Sequence, residues 1–383
     1  MKVAIVTTSL ETPKNFISIY KNQLKYDHND VHYYWVGDLN ARPIQRVRSD
    51  LIKTIPEENF TLFTYNDQLK WIKKTFDKDS YDQYCSVFQV SNYQRRIIGF
   101  LKAVQDGSDM IIAVDSDNFA IDEEDFIGSH IRSLGSHDNS MFVYPNRGYV
   151  NLLDFLEKNI SSNVYVRGIP LYLRTYTDYS IDFKPSNVGV HIGLWYQDPD
   201  IEAISRIAYP DLKINRKDTV PLQFCLDKNI NTSMCLQNIS FLSKFLIAQY
   251  EFPMNEMIDG IPLGRYDDIW AGYVCKKILD QFNYNMSFGS PIALHDRLPH
   301  DIQKDFLNEF WGMYINLLFY PQITSIELEE KDNIIDCFAE LVSKLSEKIR
   351  FSTPSIRNYF DRIWMQMFLW KEMVEVIQDE YRD

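Results

Sequence analysis

Asp115 and Asp117 stand two residues apart in the run Met110-Ile111-Ile112-Ala113-Val114-Asp115-Ser116-Asp117-Asn118. In extended backbone, side chains two apart point to the same side. The spacing therefore predicts two carboxylates aimed at one point beyond the end of a buried-type strand. Two such groups repel each other unless a cation sits between them. Oxygen donors suit Mg²⁺ or Mn²⁺, which typically bridge to substrate phosphates. A metal so placed would neutralise a nucleoside diphosphate as it leaves a sugar. The competing reading is that the two acids merely solvate a strand-to-loop turn.

A second constellation is Gly264-Arg265-Tyr266-Asp267-Asp268-Ile269-Trp270-Ala271-Gly272-Tyr273. Asp267 or Asp268 is expected either to cap the helix that follows or to act as a general base or ligand for sugar hydroxyls. Trp270 or Trp195 would stack on the sugar. Gly272 inside a helix predicts close packing against a neighbour or ligand. His295 follows the strand-like Ile292-Ala293-Leu294 and is a candidate third metal ligand. His191 is a similar candidate.

These residues need strand ends and helix starts to hold them. The first third alternates the two: a strand over 2–6 before the polar turn Thr7-Thr8-Ser9, a helix over 16–24, a strand over 31–36 ending at Gly37-Asp38, and a helix from Ser91. Tyr93, Ile97, Leu101 and Val104 fall on one face of that helix, and Gly107 ends it. Met110 to Val114 is then a strand. Such alternation predicts a parallel-rich sheet with helices on its faces, and ligands bind beyond the carboxyl ends of its strands. Thr7, Asp38 and Asp115 all fall at those ends. The helix over 91–106 would span about 24 Å, returning its N-terminus to the edge where Asp115 lies. Arg95 or Arg96 would then reach a diphosphate or pair with a carboxylate. From about 140 to 250 the pattern reads as short strands and turns. Beyond about 299 it is helical, with amphipathic helices over 329–350 and 355–380 that would pack on the main domain or form a subunit interface.

Composition narrows the class. The 383 residues carry a net charge of -13, which disfavours nucleic acid and anionic lipid as general partners. Aromatic content of 14% is high, as sugar-binding clefts and large cores both require. The five cysteines are scattered with no CxxC pair, so neither a disulfide framework nor a zinc knuckle is expected, and a reducing, cytoplasmic setting is the natural reading. The apolar run from Val3 to Val6 is too short for a signal peptide. No stretch is long and apolar enough for an integral membrane segment. Triplets such as Asn159-Ile160-Ser161 read as chance rather than glycosylation sites.

Five segments, taken in order, resemble the reversibly glycosylated polypeptide family, which includes the plant UDP-arabinopyranose mutases and is classed as glycosyltransferase family 75. They are Asn92 to Leu101, Val114 to Phe119, Val166 to Arg174, Gly193-Leu194-Trp195 with Asp198-Pro199-Asp200, and Arg265 to Tyr273. The resemblance spans roughly residues 1–300. It implies an α/β, GT-A-like Rossmann-type fold with a mostly parallel sheet, a UDP-sugar, and Mn²⁺ or Mg²⁺. It implies that Asp115 and Asp117 match the family's acidic metal motif, in which Ser116 replaces the usual middle Asp. It also implies that Arg167 matches the arginine that becomes glycosylated, although Ile169 replaces the family's Tyr.

The expected layout is a nucleotide-sugar domain over 1–300 and a helical extension over 301–383. The expected site has Asp115, Asp117 and His295 on the metal, and Thr7, Thr8, Asp38, Arg95, Arg96 and Ser116 on the nucleotide. Trp195 and Trp270 would meet the sugar, and Asp267, Asp268 and Arg167 would carry the chemistry. The leading expectation is a glycosyltransferase using a UDP-sugar and an unidentified acceptor. The alternative is a UDP-sugar pyranose–furanose mutase, and the third a non-catalytic scaffold. Self-association through the C-terminal helices is a further expectation.

Overall fold

The computed structural model of the chain describes residues 1–156, 163–215, 223–297 and 301–382. The Asn159-Ile160-Ser161 triplet lies outside the described residues.

Among the described residues the chain forms a ten-stranded sheet and a separate two-stranded ribbon. The strands are β1 (Val3–Thr8), β2 (Val31–Val36), β3 (Phe60–Phe63), β4 (Met110–Val114), β5 (Asn118–Phe119) and β6 (Gly135–Pro145). They continue with β7 (Tyr179–Gln197), β8 (Phe224–Leu226), β9 (Asn238–Leu242), β10 (Glu256–Ile258), β11 (Ile261–Leu263) and β12 (Asn285–His295). The sheet order is β3-β2-β1-β4-β9-β7-β6-β8-β12-β5.

The first four strands in that order are all parallel. Every residue of β4 is buried, as strands covered on both faces must be. In register, Val3 pairs with both Val31 and Met110, so Thr8, Val36 and Val114 finish at one edge. This is the Rossmann-type half that the sequence predicts, and β3 is an addition to it. The half beyond β4 is mixed. β9 and β7 run antiparallel to their neighbours, while β12 runs parallel to β7. The short strands expected in the middle are instead dominated by the 19-residue β7. Its first half pairs with β6, and its second half with β9 and β12.

Alternate residues of β1 feed two cores. Val3 and Ile5 pack with Phe16 and Ile19 of the Lys14–Lys25 helix. Ala4 and Val6 pack with Ile97 and Ile98 of the Arg96–Gln105 helix. That helix lies close on the sheet because Gly99 has no side chain: a Cβ there would come within 2.5 Å of Val36 and 2.8 Å of Val6. Its N-terminus, and with it Arg96, is thereby set at the β4 end. Ser91 does not start the helix. It sits in a left-handed turn at φ 58°, and Asn92 caps a short 3-10 turn over Tyr93–Arg95.

The C-terminal part forms helices Ile302–Thr324, Ile334–Lys348 and Pro354–Arg382, whose apolar residues join the core that holds Ala4 and Val6. Polar ties fix the last helix in place: Trp370 Nε1 donates to the Ile247 carbonyl at 3.0 Å, and Tyr359 donates to that of Pro253 at 2.8 Å. Among the described residues, no helix is long and apolar enough to cross a membrane.

Candidate active site

The turn after β4 is held by hydrogen bonds that leave its carboxylates facing outward. Thr7 Oγ1 donates to the Val114 carbonyl at 2.7 Å, and Asn15 Nδ2 donates to Thr7 Oγ1 and to the Asp115 carbonyl, both at 3.1 Å. The Asp115 amide donates to Gln237 O at 2.9 Å. β5 pairs with the end of β12, placing Asn118 opposite His295. His295 Nδ1 is hydrogen-bonded to the Asp198 carbonyl at 2.7 Å, which turns Nε2 toward Asp117 Oδ2 at 3.5 Å.

The electrostatics of this corner follow from its contacts. Burial pushes Asp115 up, Arg96 at 2.8 Å pulls it down and Asp117 pushes it up again, leaving it at about 6. Asp117 is also partly desolvated, but the His295 imidazole and the Asn118 amide hold it below the ordinary carboxylate range. Burial opposes protonation of His295, yet Asp117 and the Asp198 carbonyl outweigh it and raise its pKa. Asp117 and His295 are thus in contact, and Asp115, two residues from Asp117, is disfavoured as an anion. A hard divalent cation would relieve that penalty, so the donor set fits Mg²⁺ or Mn²⁺.

Asp267 joins this corner from the first turn of the Asp267–Gln281 helix. Burial, then the neighbouring Asp268, push it up to about 6. Tyr93, read from the sequence as one position of a buried helix face, is 68% exposed instead. Desolvation raises its phenol, and the negative charges of Asp115, Asp117 and Asp267 raise it further. Tyr93 thus stands exposed in the turn before the helix, a placement that helical spacing concealed. Only its place in the turn before the helix could have revealed it.

Asp268 behaves differently from Asp267. Arg167 grips it with Nη1–Oδ1 at 2.7 Å and Nη2–Oδ2 at 2.6 Å, and also grips Asp200 through Nε and Nη2. A further N–H reaches the Arg265 carbonyl, so all five guanidinium N–H groups are engaged. Gly168 makes the approach possible at φ +92°, where a Cβ would lie 2.5 Å from Ile269. Asp200, Cys235 and Asp268 place ligand-type atoms within 4.8 Å of one another. In that cluster the two carboxylates are already paired with cationic side chains, Arg167 on both and Arg265 3.7 Å from Asp200.

Several expected roles are corrected by this geometry. Arg167 presents no free nitrogen to a sugar; it is a buried pivot between Asp200 and Asp268. Trp270 is fully buried among Phe252, Tyr266, Phe319 and Phe360, and Trp195 is 2% exposed, so neither ring offers a face to a sugar. The Thr7 hydroxyl is buried and spent within the turn, and Thr8 Oγ1 donates to the Val36 carbonyl at 3.1 Å. Arg95 is buried on Gln68 and the Phe88 carbonyl, 3.3 Å from Asp38 and over the Tyr65 ring, so it does not reach a diphosphate. Arg96 takes the other expected course and pairs with a carboxylate. Asp38 binds the Ser91 amide at 2.7 Å and borders a cleft of about 220 Å³ at the ends of β2 and β3, together with Trp35, Gly37, Arg42, Thr64 and Tyr65. Ser116 is half-buried between the two site carboxylates in sequence. His191 lies away from the corner, buried between Ser287 and the Ser290 carbonyl. Gly272 meets the expectation of close packing: a Cβ there would fall 2.4 Å from Met234 Cβ.

An α/β sheet with an acidic turn at its central parallel edge defines the class to which this protein is compared. The family model described as "Reversibly glycosylated polypeptide" matches residues 59–378, and the chain belongs to that family. The match includes the C-terminal helices, which the sequence resemblance had left outside. Among curated relatives, UDP-arabinopyranose mutase 2 of Arabidopsis thaliana is 26% identical over 66% of this chain and 67% of its own length. Probable UDP-arabinopyranose mutase 1 of Pisum sativum is 26% identical over 70% and 68%. A solved mannosyltransferase, PcManGT from Pyrobaculum calidifontis in complex with GDP-Man and Mn2+, aligns with 99% of this chain and 73% of its own at 8% identity. The TM-score of that alignment is 0.37.

Proposed function

We propose that the protein is a metal-dependent UDP-sugar enzyme that interconverts pyranose and furanose forms of its sugar. Membership of the family and the relatives named as UDP-arabinopyranose mutases favour this over transfer to a separate acceptor. The observation that supports the site is the acidic turn at the β4 edge, where Arg96 pairs with Asp115 at 2.8 Å and His295 Nε2 lies 3.5 Å from Asp117 Oδ2.

The nucleoside would lie in the cleft bordered by Asp38 and Tyr65. Neighbouring strands are about 4.8 Å apart, so that cleft lies about 12 Å along the edge from Asp115, within reach of a nucleoside diphosphate. Asp115 and Asp117, with His295 Nε2, would hold the metal, which supplies charge neutralisation for the diphosphate. Arg95 is committed to internal partners and Arg96 faces Asp115 and Glu251 rather than the diphosphate, so that neutralisation would fall to the metal. Tyr93 would give the sugar an aromatic face.

The chemistry requires the bond from the anomeric carbon to the diphosphate to break, one ring oxygen to release that carbon, and another hydroxyl to bond to it. The diphosphate then returns to the same carbon. One proton leaves the hydroxyl that closes the new ring, and one is gained by the oxygen that leaves the old ring. A single carboxylate with a pKa of about 6, as Asp267 has, can accept the first and donate the second.

The test is to incubate the protein with Mg²⁺ and a panel of UDP-sugars, without acceptor, and follow them by proton NMR. A new UDP-furanose signal is expected. UDP and free sugar as the sole products would instead favour a transferase lacking its acceptor.

A further inference from the structure

Glu251 is a fully buried carboxylate with no role in the chemistry above. Neither of its oxygens has a hydrogen-bond partner among the described residues. Burial pushes its carboxyl well above the ordinary range, and the nearby Arg96 draws it back toward the anion. The counter-charge is Arg96, whose Nε lies 3.1 Å from Glu251 Oε1 but is poorly aligned with it. The same guanidinium spends Nη1 on Asp115 Oδ1 at 2.8 Å and on the Leu236 carbonyl at 3.0 Å. One buried cation therefore lies between a site carboxylate that it binds well and a core carboxylate that it binds badly.

We infer that Arg96 is a movable counter-ion, which neutralises Asp115 until a divalent cation takes that carboxylate and then closes onto Glu251, making Glu251 a positioning residue for the metal site. This rests on the metal reading of Asp115 and Asp117 given above. Without Glu251, a cation arriving at Asp115 would meet an adjacent guanidinium with no anion to receive it. With Glu251, the two cations have separate partners, and the orphaned oxygens gain aligned N–H donors.

Two measurements test this on the full chain. In the wild-type protein, the Arg96 Nε–H resonance, assigned by its loss in Arg96→Lys, should move on titration with Mg²⁺. A resonance that stays fixed while Mg²⁺ binds overturns the inference and requires no destabilised variant. Second, Mn²⁺ affinity is read from the free-ion electron paramagnetic resonance signal. Glu251→Gln should weaken it on the order of tenfold, and Arg96→Gln with Glu251→Gln should restore most of the loss by removing both charges. Equal affinity in Glu251→Gln, or a double variant no better than the single, would make Glu251 merely a buried structural acid. A wild-type protein that binds no Mn²⁺ would remove the metal reading as well, which distinguishes that failure from this one.

Discussion

Arg167 and Asp268 meet in a buried two-pronged ion pair, at 2.7 and 2.6 Å, one residue from a carboxylate that lacks such a partner. The pair separates the roles of two adjacent acids on one helix turn. Asp268 is an anion paired with Arg167, while Asp267 is held up at about 6 by burial and by the negative charge of Asp268 itself. Environments that drive neighbouring acids apart are how acid and base roles are divided.

Removing Arg167 should therefore damage the fold before the chemistry. Arg167→Ala leaves Asp200 and Asp268 buried without their shared cation, and breaking such a pair costs about 3–5 kcal/mol. Urea denaturation should show that loss. Arg167→Lys should recover only part of it, because one ammonium cannot chelate both carboxylates. Stability unchanged in Arg167→Ala would contradict the pivot role.

Asp117 should behave in the opposite way. It is partly exposed, and its partners are His295 and Asn118. Asp117→Ala should leave the midpoint of urea unfolding nearly unchanged while weakening metal-dependent UDP binding by about a hundredfold or more, because losing even an outer-shell partner of a metal ligand costs about 10–100-fold. Retained affinity would remove Asp117 from the site.

The raised pKa of Asp267 has a stability consequence with a definite sign. Unfolded, the group titrates near 3.8; folded, near 6. The folded state therefore favours the protonated acid. Its contribution is fully present below pH 3.8 and is lost as pH rises through 6. Asp267→Asn should be more stable than the wild-type protein at pH 7.5, on the order of 1–3 kcal/mol, with the difference vanishing toward pH 4. Turnover should fall at the same time. Full activity in Asp267→Asn would leave the acid without a chemical role.

Much of this was legible in the sequence because local rules decide it. The β1, β2 and β4 strands, the terminating Gly107 and the outward turn at Asp115 follow from apolar runs and their punctuation. Asp115 and Asp117 were legible because period-two geometry acts over three residues. The partners that decide other roles are remote in sequence. Arg167 meets Asp268 across 101 residues. Trp270 looks like a sugar platform until Phe319 and Phe360 close over it from the C-terminal helices. Glu251 had no motif at all, and its importance exists only beside Arg96.

The two aromatic assignments separate cleanly by experiment. Trp270→Ala should cost about 3–5 kcal/mol of stability, as large core truncations do. Tyr93→Ala should cost little stability but raise KM for the UDP-sugar by about tenfold, with Kd for UDP unchanged, since base- or sugar-scale stacking on an aromatic ring contributes about 1–3 kcal/mol. A Tyr93→Ala enzyme with unaltered KM would remove the ring from the sugar site.

The most direct test of the account is a calorimetric titration of UDP into the wild-type protein, once with Mn²⁺ and once with EDTA. If Asp115 and Asp117 hold a metal that receives the diphosphate, binding should be saturable with Mn²⁺ and lost with EDTA. Equal UDP affinity in both conditions, or no binding in either, would contradict the assignment of the β4 edge as a metal-dependent nucleotide-sugar site.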